Sequence, residues 1–286
     1  MIPVSRRNRV SESNPRPFYS NNSVVEAFCM PNSLNFPRLA RRLLIAGLFP
    51  ISTAWASGGP PMITDDPGTP GDGHWEINIA ALSNHTSDGA TYQLPLIDAN
   101  YGVGDRLQLK FEMPWLVQDE QNGASRSGSG NGLLGVKWRF YDAGEDGWQI
   151  STYPQWEFGL PHASSTHDGL ADSGTSTLLP LEFVHGYDGF DINFEAGRWF
   201  RPGGGDDSWI AGFVVTHEVR KGLELIAEVH DESAVHHSAE EQIVNFGARW
   251  DMSEQTTLLL SAGRDVRNTF GEKNTLITYL GIQLRL

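Results

Sequence analysis

The sequence predicts an all-β protein, a single antiparallel transmembrane β-barrel of the outer-membrane type with about twelve strands. Three observations predict it: an export signal near the start, apolar and polar residues that alternate along the rest, and connections that alternate between long and short. The predicted domains are a disordered or mis-assigned leader at 1–29, a secretory signal peptide at 30–56, an N-terminal periplasmic segment at 57–73 and the barrel at 74–286.

The export signal has the three parts of a secretory signal peptide. A basic region, a short apolar run and an A-x-A cleavage pattern follow one another at 38–42, 43–49 and 54–56. The apolar run is too short to cross a bilayer as a helix, which takes about 20 residues. We therefore expect cleavage after Ala56. Residues 1–29 are polar and fit neither a signal nor a domain, so Met30 is the expected start of translation.

Removing the leader makes the chain strongly acidic and free of cysteine. Residues 1–56 hold 7 of the 21 Lys and Arg and 2 of the 35 Asp and Glu, so the net charge changes from −14 to −19. Such a chain is a poor nucleic-acid binder, because phosphate contacts need basic patches. Cys29 is lost with the leader, so stability must come from backbone pairing and burial rather than from an internal disulfide.

The alternation is clearest from Arg106 to Val117. Leu109, Phe111 and Trp115 fall on one face of this stretch, and Gln108, Lys110 and Glu112 fall on the other. A period of two marks a strand with one apolar and one polar face, and the length suits a tilted strand that crosses a membrane. The twelve predicted strands lie at 74–81, 91–101, 106–117, 133–140, 148–158, 177–187, 190–196, 209–219, 223–230, 244–250, 256–264 and 276–286.

The connections between these strands alternate in length. Long connections are predicted at 83–90, 118–132, 161–176, 201–208, 231–241 and 265–274, and short ones at 102–105, 142–147, 188–189, 220–222 and 251–255. Long outer loops, short periplasmic turns and an even number of strands are the topology of bacterial outer-membrane barrels. We therefore expect both ends of the barrel domain on the periplasmic side.

Aromatic residues gather near both ends of the predicted strands. Amphipathic rings at two levels match the girdles that such barrels place at the two membrane interfaces. The short-turn end carries Tyr101, Tyr141, Trp148, Tyr187, Phe190 and Trp250, and the long-loop end carries Trp115, Trp156, Trp199, Phe200 and Trp209.

The start of the predicted barrel resembles a known family. The segments Pro60-Pro61-Met62-Ile63-Thr64-Asp65-Asp66-Pro67, Gly73-His74-Trp75-Glu76 and Ile97-Asp98-Ala99-Asn100-Tyr101-Gly102-Val103 are similar to the beginning of bacterial barrel proteins named for the MetA pathway of phenol degradation. The likeness is clearest over Gly59–Pro114. It implies an outer-membrane transporter linked to uptake of aromatic or other hydrophobic compounds, and it brings no catalytic residues.

The polar faces of the predicted strands carry many charges. In a closed barrel these charges face a narrow lumen, where they form either a charged constriction that selects solutes or a salt-bridged polar plug. Basic residues fall on early strands and acidic residues predominate later, which predicts a transverse electric field. The candidate lumen-lining residues are Lys110, Glu112, Lys137, Arg139, Glu157, Glu182, Asp191, Glu195, Glu224, Glu228 and Arg249.

One outer loop is rich in histidine and acid: His230, Asp231, Glu232, His236, His237, Glu240 and Glu241. Imidazole and carboxylate groups can bind zinc or nickel, but the spacing matches no defined metal motif. A solvated acidic loop is the preferred interpretation, so no metal site and no cofactor are predicted.

The expected function is passive or facilitated transfer of small molecules, hydrophobic or aromatic compounds among them, across the outer membrane. The expected partners are outer-membrane lipid and the solute, and no catalysis is predicted. Two alternatives stay open. A barrel-embedded lipid hydrolase would need a Ser nucleophile and a His base, for which only the region around Ser164, Ser165, His162 and His167 offers both residue types. A soluble periplasmic barrel that binds a hydrophobic ligand would turn its apolar faces inward.

Overall fold

The computed structural model describes residues 58–120, 123, 125–144, 147–160, 162–202 and 206–286. The predicted leader at 1–29 and signal peptide at 30–56 lie outside these residues. Within the described part of the chain, no helix is long and apolar enough to cross a lipid bilayer.

The described residues form fourteen β-strands and one short helix. The elements are β1 Trp75–His85, β2 Gly89–Val103, β3 Leu107–Glu120, β4 Arg126–Ser129, β5 Gly132–Asp142, β6 Trp148–Thr152, β7 Gln155–Phe158, α1 Ser164–His167, β8 Thr175–Tyr187, β9 Phe190–Phe200, β10 Ser208–Arg220, β11 Leu223–Ala234, β12 Glu240–Ser253, β13 Thr256–Asn268 and β14 Leu276–Arg285.

These strands form a closed barrel with twelve strand positions around its wall, here called staves. Two of the twelve positions are each occupied by two short strands in succession. All pairings are antiparallel, and β14 pairs with β1 to close the sheet. Strands β4 and β5 both pair with β3 and make one interrupted stave. Strands β6 and β7 both pair with β8 and make another. The predicted fold class and number of strands are therefore confirmed.

Proline accounts for the second interruption. Pro154 lies between β6 and β7, and because proline has no N–H it cannot donate to the ladder. Its carbonyl still accepts a hydrogen bond of 3.0 Å from the N–H of Val136, so the stave stays attached across the break. Pro180, by contrast, stays within β8 opposite Gly197, whose missing Cβ leaves room for the proline ring.

The connections alternate in length as the sequence predicts, with changed boundaries. The turn between β8 and β9 is Asp188-Gly189, with φ of 50° and 78°, the left-handed conformation that a two-residue hairpin turn of type I′ requires. The predicted loop 118–132 is wrong in part, since β3 runs on to Glu120 and β4 lies within it. The outer loop before β8 contains α1, and the predicted loop 231–241 shortens to 235–239.

The two faces of the wall have opposite chemistry. Outward-facing Leu225 keeps 50% of its surface exposed and Leu109 keeps 47%, whereas inward-facing Glu182 is fully buried and Lys137 is 2% exposed. A belt of exposed apolar side chains suits lipid rather than water. The soluble alternative required apolar residues inside, so this orientation contradicts it.

Candidate functional site: the occupied lumen

The chain ahead of the first strand folds inside the barrel. Residues 58–66, here called the plug segment, form a tight loop in which the N–H of Gly59 donates to the carbonyl of Thr64 at 2.8 Å. The N–H of Gly58 donates to the carboxylate of Asp66, which joins the two ends of the loop. The plug segment is therefore a folded unit with its own hydrogen bonds, seated among the inward side chains described next.

The chain leaves the lumen at the periplasmic rim. The N–H of Gly104 donates to the carboxylate of Asp72 at 2.8 Å, and the hydroxyl of Thr69 donates to the carbonyl of Asp105 at 3.0 Å. Of the predicted segment 57–73, residues 58–66 lie among the inward side chains of the barrel. The physical reason is that a closed polar lumen contains buried charges that need partners, and the plug segment supplies them.

Lys137, at the midpoint of β5, binds the acidic end of the plug segment. Its ammonium lies 2.7 Å from the carboxylate of Asp65 and also donates to the carbonyl of Asp66. Glu182 lies 3.8 Å away, and the ring centroid of Tyr153 lies 4.6 Å away, within the range of a cation–π contact. Two carboxylates, a carbonyl and an aromatic ring therefore stabilise the buried ammonium of Lys137.

Two glutamates hold the backbone of the plug segment from other staves. Glu228, at the middle of β11, accepts the N–H of Thr64 at 2.6 Å and that of Ile63 at 3.0 Å. Glu195, at the midpoint of β9, accepts the N–H of Asp65 at 3.0 Å. These are charge-assisted hydrogen bonds, which are about twice as strong as those between neutral groups.

Arg249 on β12 binds the opposite end of the plug segment. Its guanidinium donates to the carbonyls of Pro60 at 3.0 Å and Gly59 at 3.1 Å, and also to that of Gly58. Its ion pair with Glu224, at 3.5 Å, fixes the guanidinium against the wall. A planar guanidinium can donate to several carbonyls and to a carboxylate at once, a geometry that the compact ammonium of a lysine does not supply.

The plug segment also packs closely against apolar and glycine residues of the wall. Met62 of the plug segment forms a buried apolar cluster with Val214 and Ile226. A Cβ added at Gly212 would collide with the side chain of Thr64, and one added at Gly247 would collide with Met62. Glycine at these two wall positions therefore lets the plug segment approach the strand backbone.

A second buried polar cluster lies on the early strands. Asp98 accepts from Asn78 and Asn100, both at 3.1 Å, and forms an ion pair of 3.4 Å with Lys110. Lys110 also pairs with Glu112 at 3.0 Å. Lys110 and Glu112, both candidate lumen residues, therefore form their ion pairs with side chains of the wall.

The remaining candidate lumen-lining residues lie away from the plug segment. Arg139 is at the periplasmic end, where it pairs with Asp142 at 3.3 Å, and Asp191 is also at that end, opposite Thr216 in register. Glu157 is near the outer end and accepts from Asn131 at 2.6 Å. The structure thus brings six of the eleven candidates together around the plug segment: Lys137, Glu182, Glu195, Glu224, Glu228 and Arg249.

Several residues of the site were absent from the prediction. Asp65 and Asp66 belong to the plug segment, Asn193 donates to the carbonyl of Asp65 at 2.8 Å, and Ser261 donates to that of Pro61 at 3.0 Å. The dense Pro60–Pro67 motif was the available signal. It has no strand periodicity and sits ahead of the first strand, which is unusual for a mere spacer.

The outer mouth has its own side chains. Arg126 donates to the carbonyl of Asp168, just after α1, at 2.6 Å, and Ser165 donates to the carbonyl of Ser129 at 2.6 Å. These bonds hold the α1 loop against the inward face of β4. Next to it lies a vestibule of about 800 Å³ whose acidic lining residues are Asp88, Asp119, Glu120 and Glu272.

The residue sets that a lipid hydrolase or a metal site would need are not assembled in the described part of the chain. Ser165 donates to a backbone carbonyl, while His167 points into solvent beside Asp168. Within the described ranges, no group of three or more His, Cys, Asp and Glu is placed to hold a metal ion. His230 of the predicted loop is buried in the lumen, with its Nδ1 3.5 Å from the hydroxyl of Thr64.

No family model matches the sequence, and no curated protein matches it. Solved structures share its fold. The COG4313 outer membrane channel from Pseudomonas putida F1 is 14% identical with a TM-score of 0.63, over 77% of this chain and 98% of that one. The KdgM porin in complex with disordered oligogalacturonate is 10% identical, with a TM-score of 0.53, over 73% and 98%. The NanC porin is 10% identical, with a TM-score of 0.53, over 72% and 97%.

Proposed function

We propose that the protein is an outer-membrane channel for passive or facilitated transfer of small molecules, which the plug segment closes at rest. The observation that carries this proposal is the plug segment itself, held in the lumen chiefly by Lys137, Glu195, Glu228 and Arg249. The apolar outer surface and the channels and porins of the same fold support the placement in the outer membrane.

The contacts of the plug segment suit a part that moves. Most are polar, and water can replace each of them, so a contact made by a charged side chain contributes only about 1.5–3 kcal/mol net. The apolar contribution is a single methionine with two wall residues. Displacing the segment therefore leaves the ladder of the barrel intact, since none of its strands depends on residues 58–66.

The substrate class follows from the resemblance and not from the lumen alone. The likeness of Pro60–Pro67 and Ile97–Val103 to the phenol-degradation family favours small aromatic or other hydrophobic compounds. The lumen-lining residues proposed to meet such a solute are the inward charges released when the segment moves. The KdgM porin, which shares the fold, is described in complex with disordered oligogalacturonate.

The test is single-channel conductance of the refolded chain in a planar lipid bilayer, for wild type and for Lys137→Met. Removing this cation leaves buried Asp65 and Glu182 uncompensated, a loss of roughly 3–5 kcal/mol for a buried pair. We expect brief openings in wild type and long-lived ones in the variant. Arg249→Met, which frees the opposite end, should act in the same way.

Lys110→Met is the matched control. It also removes a buried inward lysine, but its partners Asp98 and Glu112 belong to the wall. Openings in Lys110→Met as long as those in Lys137→Met would contradict gating by the plug segment. Inserted protein that never conducts, in any of the three variants, would contradict the channel itself.

A further inference from the structure

We propose that the outward face of β12 and β13 binds an anionic, phosphate-bearing membrane lipid, with an acyl chain in a groove between the strands and the phosphate at Arg264. The proposal rests on the placement of the barrel in the outer membrane. It concerns the outside of the wall, so it is independent of what passes through the lumen.

The groove is a recess in the lipid-facing surface. Phe246 pairs with Ala262 and Ala248 pairs with Leu260, so that small and large side chains alternate diagonally across the two strands. The alanines leave a hollow of about 350 Å³ beside the two larger side chains. Phe246 is 66% exposed and forms one raised edge of this hollow.

A cation stands directly above the groove. Arg264 is two residues beyond Ala262 on the same outward face of β13, opposite Val244. Its side chain is exposed, and within the described part of the chain it has no hydrogen-bond or ion-pair partner. Outward charges on a barrel wall are costly in hydrocarbon and become favourable at the headgroup level.

Two further cations flank Arg264. Lys273 lies in the loop after β13, and its ammonium donates to the carbonyl of Val266 at 2.5 Å, two residues beyond Arg264. Arg267 pairs with Glu240 at 2.7 Å, so its charge is already compensated. Arg264 and Lys273 therefore leave a net positive patch on the face of an otherwise acidic protein.

The height of Arg264 matches the outer membrane interface. It follows Thr256, the first residue of β13, by eight positions, as Trp115 follows Leu107 in β3. Trp115 is 47% exposed on the outward face near the outer end of its strand, where aromatic girdles mark the interface. Arg264 therefore lies where headgroups lie, and the groove below it lies where acyl chains lie.

This combination selects an anionic lipid rather than another occupant. A guanidinium binds phosphate oxygens in bidentate fashion, and an acyl chain can lie along a shallow apolar depression that is open to the lipid. A second copy of this chain would bring a like charge to Arg264, since the same face would meet itself in a two-fold dimer.

The test is native mass spectrometry of the full-length mature chain in detergent, titrated with dioleoyl phosphatidylglycerol or dioleoyl phosphatidylcholine. The two lipids share their chains and differ in net headgroup charge. We expect one phosphatidylglycerol to bind with about tenfold preference, because its headgroup keeps a net negative charge, whereas the choline ammonium of phosphatidylcholine offsets the phosphate and is repelled by Arg264. Arg264→Gln should abolish the preference, and Ala262→Phe, which fills the groove, should weaken binding of both lipids.

Arg220→Gln is the control, because Arg220 is an exposed arginine at the periplasmic end. Equal binding of the two lipids by wild type, or an equal loss in Arg220→Gln, would overturn the proposal, as would a dimer that displaces lipid. Heat-dependent gel mobility checks that each variant is folded. A wild type that conducts but shows no lipid preference refutes this inference alone, whereas one that never conducts but binds the lipid refutes the channel alone.

Discussion

Two glycines in the wall decide how closely the plug segment can approach the strands. Gly212 faces Thr64 and Gly247 faces Met62, and at both positions a Cβ would occupy space that the plug segment fills. Glycine in a strand interior costs stability, because it packs no side chain and loses more chain entropy on folding. Its presence here is explained by the close approach of a second backbone.

This explanation predicts a specific rescue. Gly212→Ala should displace the plug segment and prolong channel openings while leaving the barrel folded, because the new methyl group collides with Thr64. Thr64→Gly in the same chain removes the colliding atoms and should restore the brief openings of wild type. Single-channel recordings of both proteins decide the matter, and a double variant that stays open would show that the collision is not the cause.

At the scale of elements, the tight turns fix which strands are neighbours. Asp188 and Gly189 both have positive φ, so the turn between β8 and β9 depends on a conformation that most residues adopt with strain. A right-handed strand twist is matched by this turn type, which keeps the register Tyr187↔Phe190 and Glu182↔Glu195.

Replacing the glycine tests that dependence. Gly189→Ala should lower the free energy of unfolding by about 1 kcal/mol, the usual cost of placing a side chain at positive φ. Urea titration in lipid vesicles measures it. Gly174, in an outer loop with open space around its Cα, is the control, and Gly174→Ala should change stability little. If both variants lost the same free energy of unfolding, the positive φ of the turn would not be the cause.

Elements also show what sequence patterns reveal. The twelve staves were predictable, because a wall with lipid on one side and water on the other imposes a period of two on every strand. Strand β4, Arg126–Ser129, was missed because its sequence Arg-Ser-Gly-Ser has no apolar face, since it rises past the aromatic level into the outer mouth.

The plug segment was missed for a different reason. Its partners are far away in sequence: Thr64 binds Glu228 across 164 residues, and Pro60 binds Arg249 across 189. The inward charges were predictable from alternation, but their partners were not, because a single sequence does not state which distant backbone will meet them. Neither predicted alternative, a charged constriction or a salt-bridged plug of strand side chains, included a second backbone inside the lumen.

At the scale of the whole molecule, acidic charge gathers at the outer mouth. The vestibule is lined by Asp88, Asp119, Glu120 and Glu272, of which Glu120 pairs with Arg126 at 2.7 Å, and the chain from residue 57 onward carries a net charge of −19. Clefts lined by one sign of charge concentrate counter-ions. Cations should therefore enter from the outside more readily than anions once the channel is open.

Reversal potentials of open Lys137→Met channels in a salt gradient test this. We expect cation preference at low salt that fades toward 1 M, where the screening length falls to about 3 Å. Adding Asp119→Asn and Glu272→Gln should reduce the preference, whereas Glu254→Gln at a periplasmic turn should not. Selectivity that is unchanged by the mouth variants, or that is insensitive to salt, would place its origin elsewhere.

The seam between β1 and β14 has a consequence for assembly. Trp75 and Leu286 exchange backbone hydrogen bonds of 2.8 and 2.9 Å, so the wall closes by joining residues from the two extremes of the barrel domain. Contacts of such long sequence separation form late and slowly, because the loop-closure entropy is lost before they form. Until the last hairpin docks, the nascent sheet has two bare edges, and during that interval it depends on being held apart from other unpaired strands.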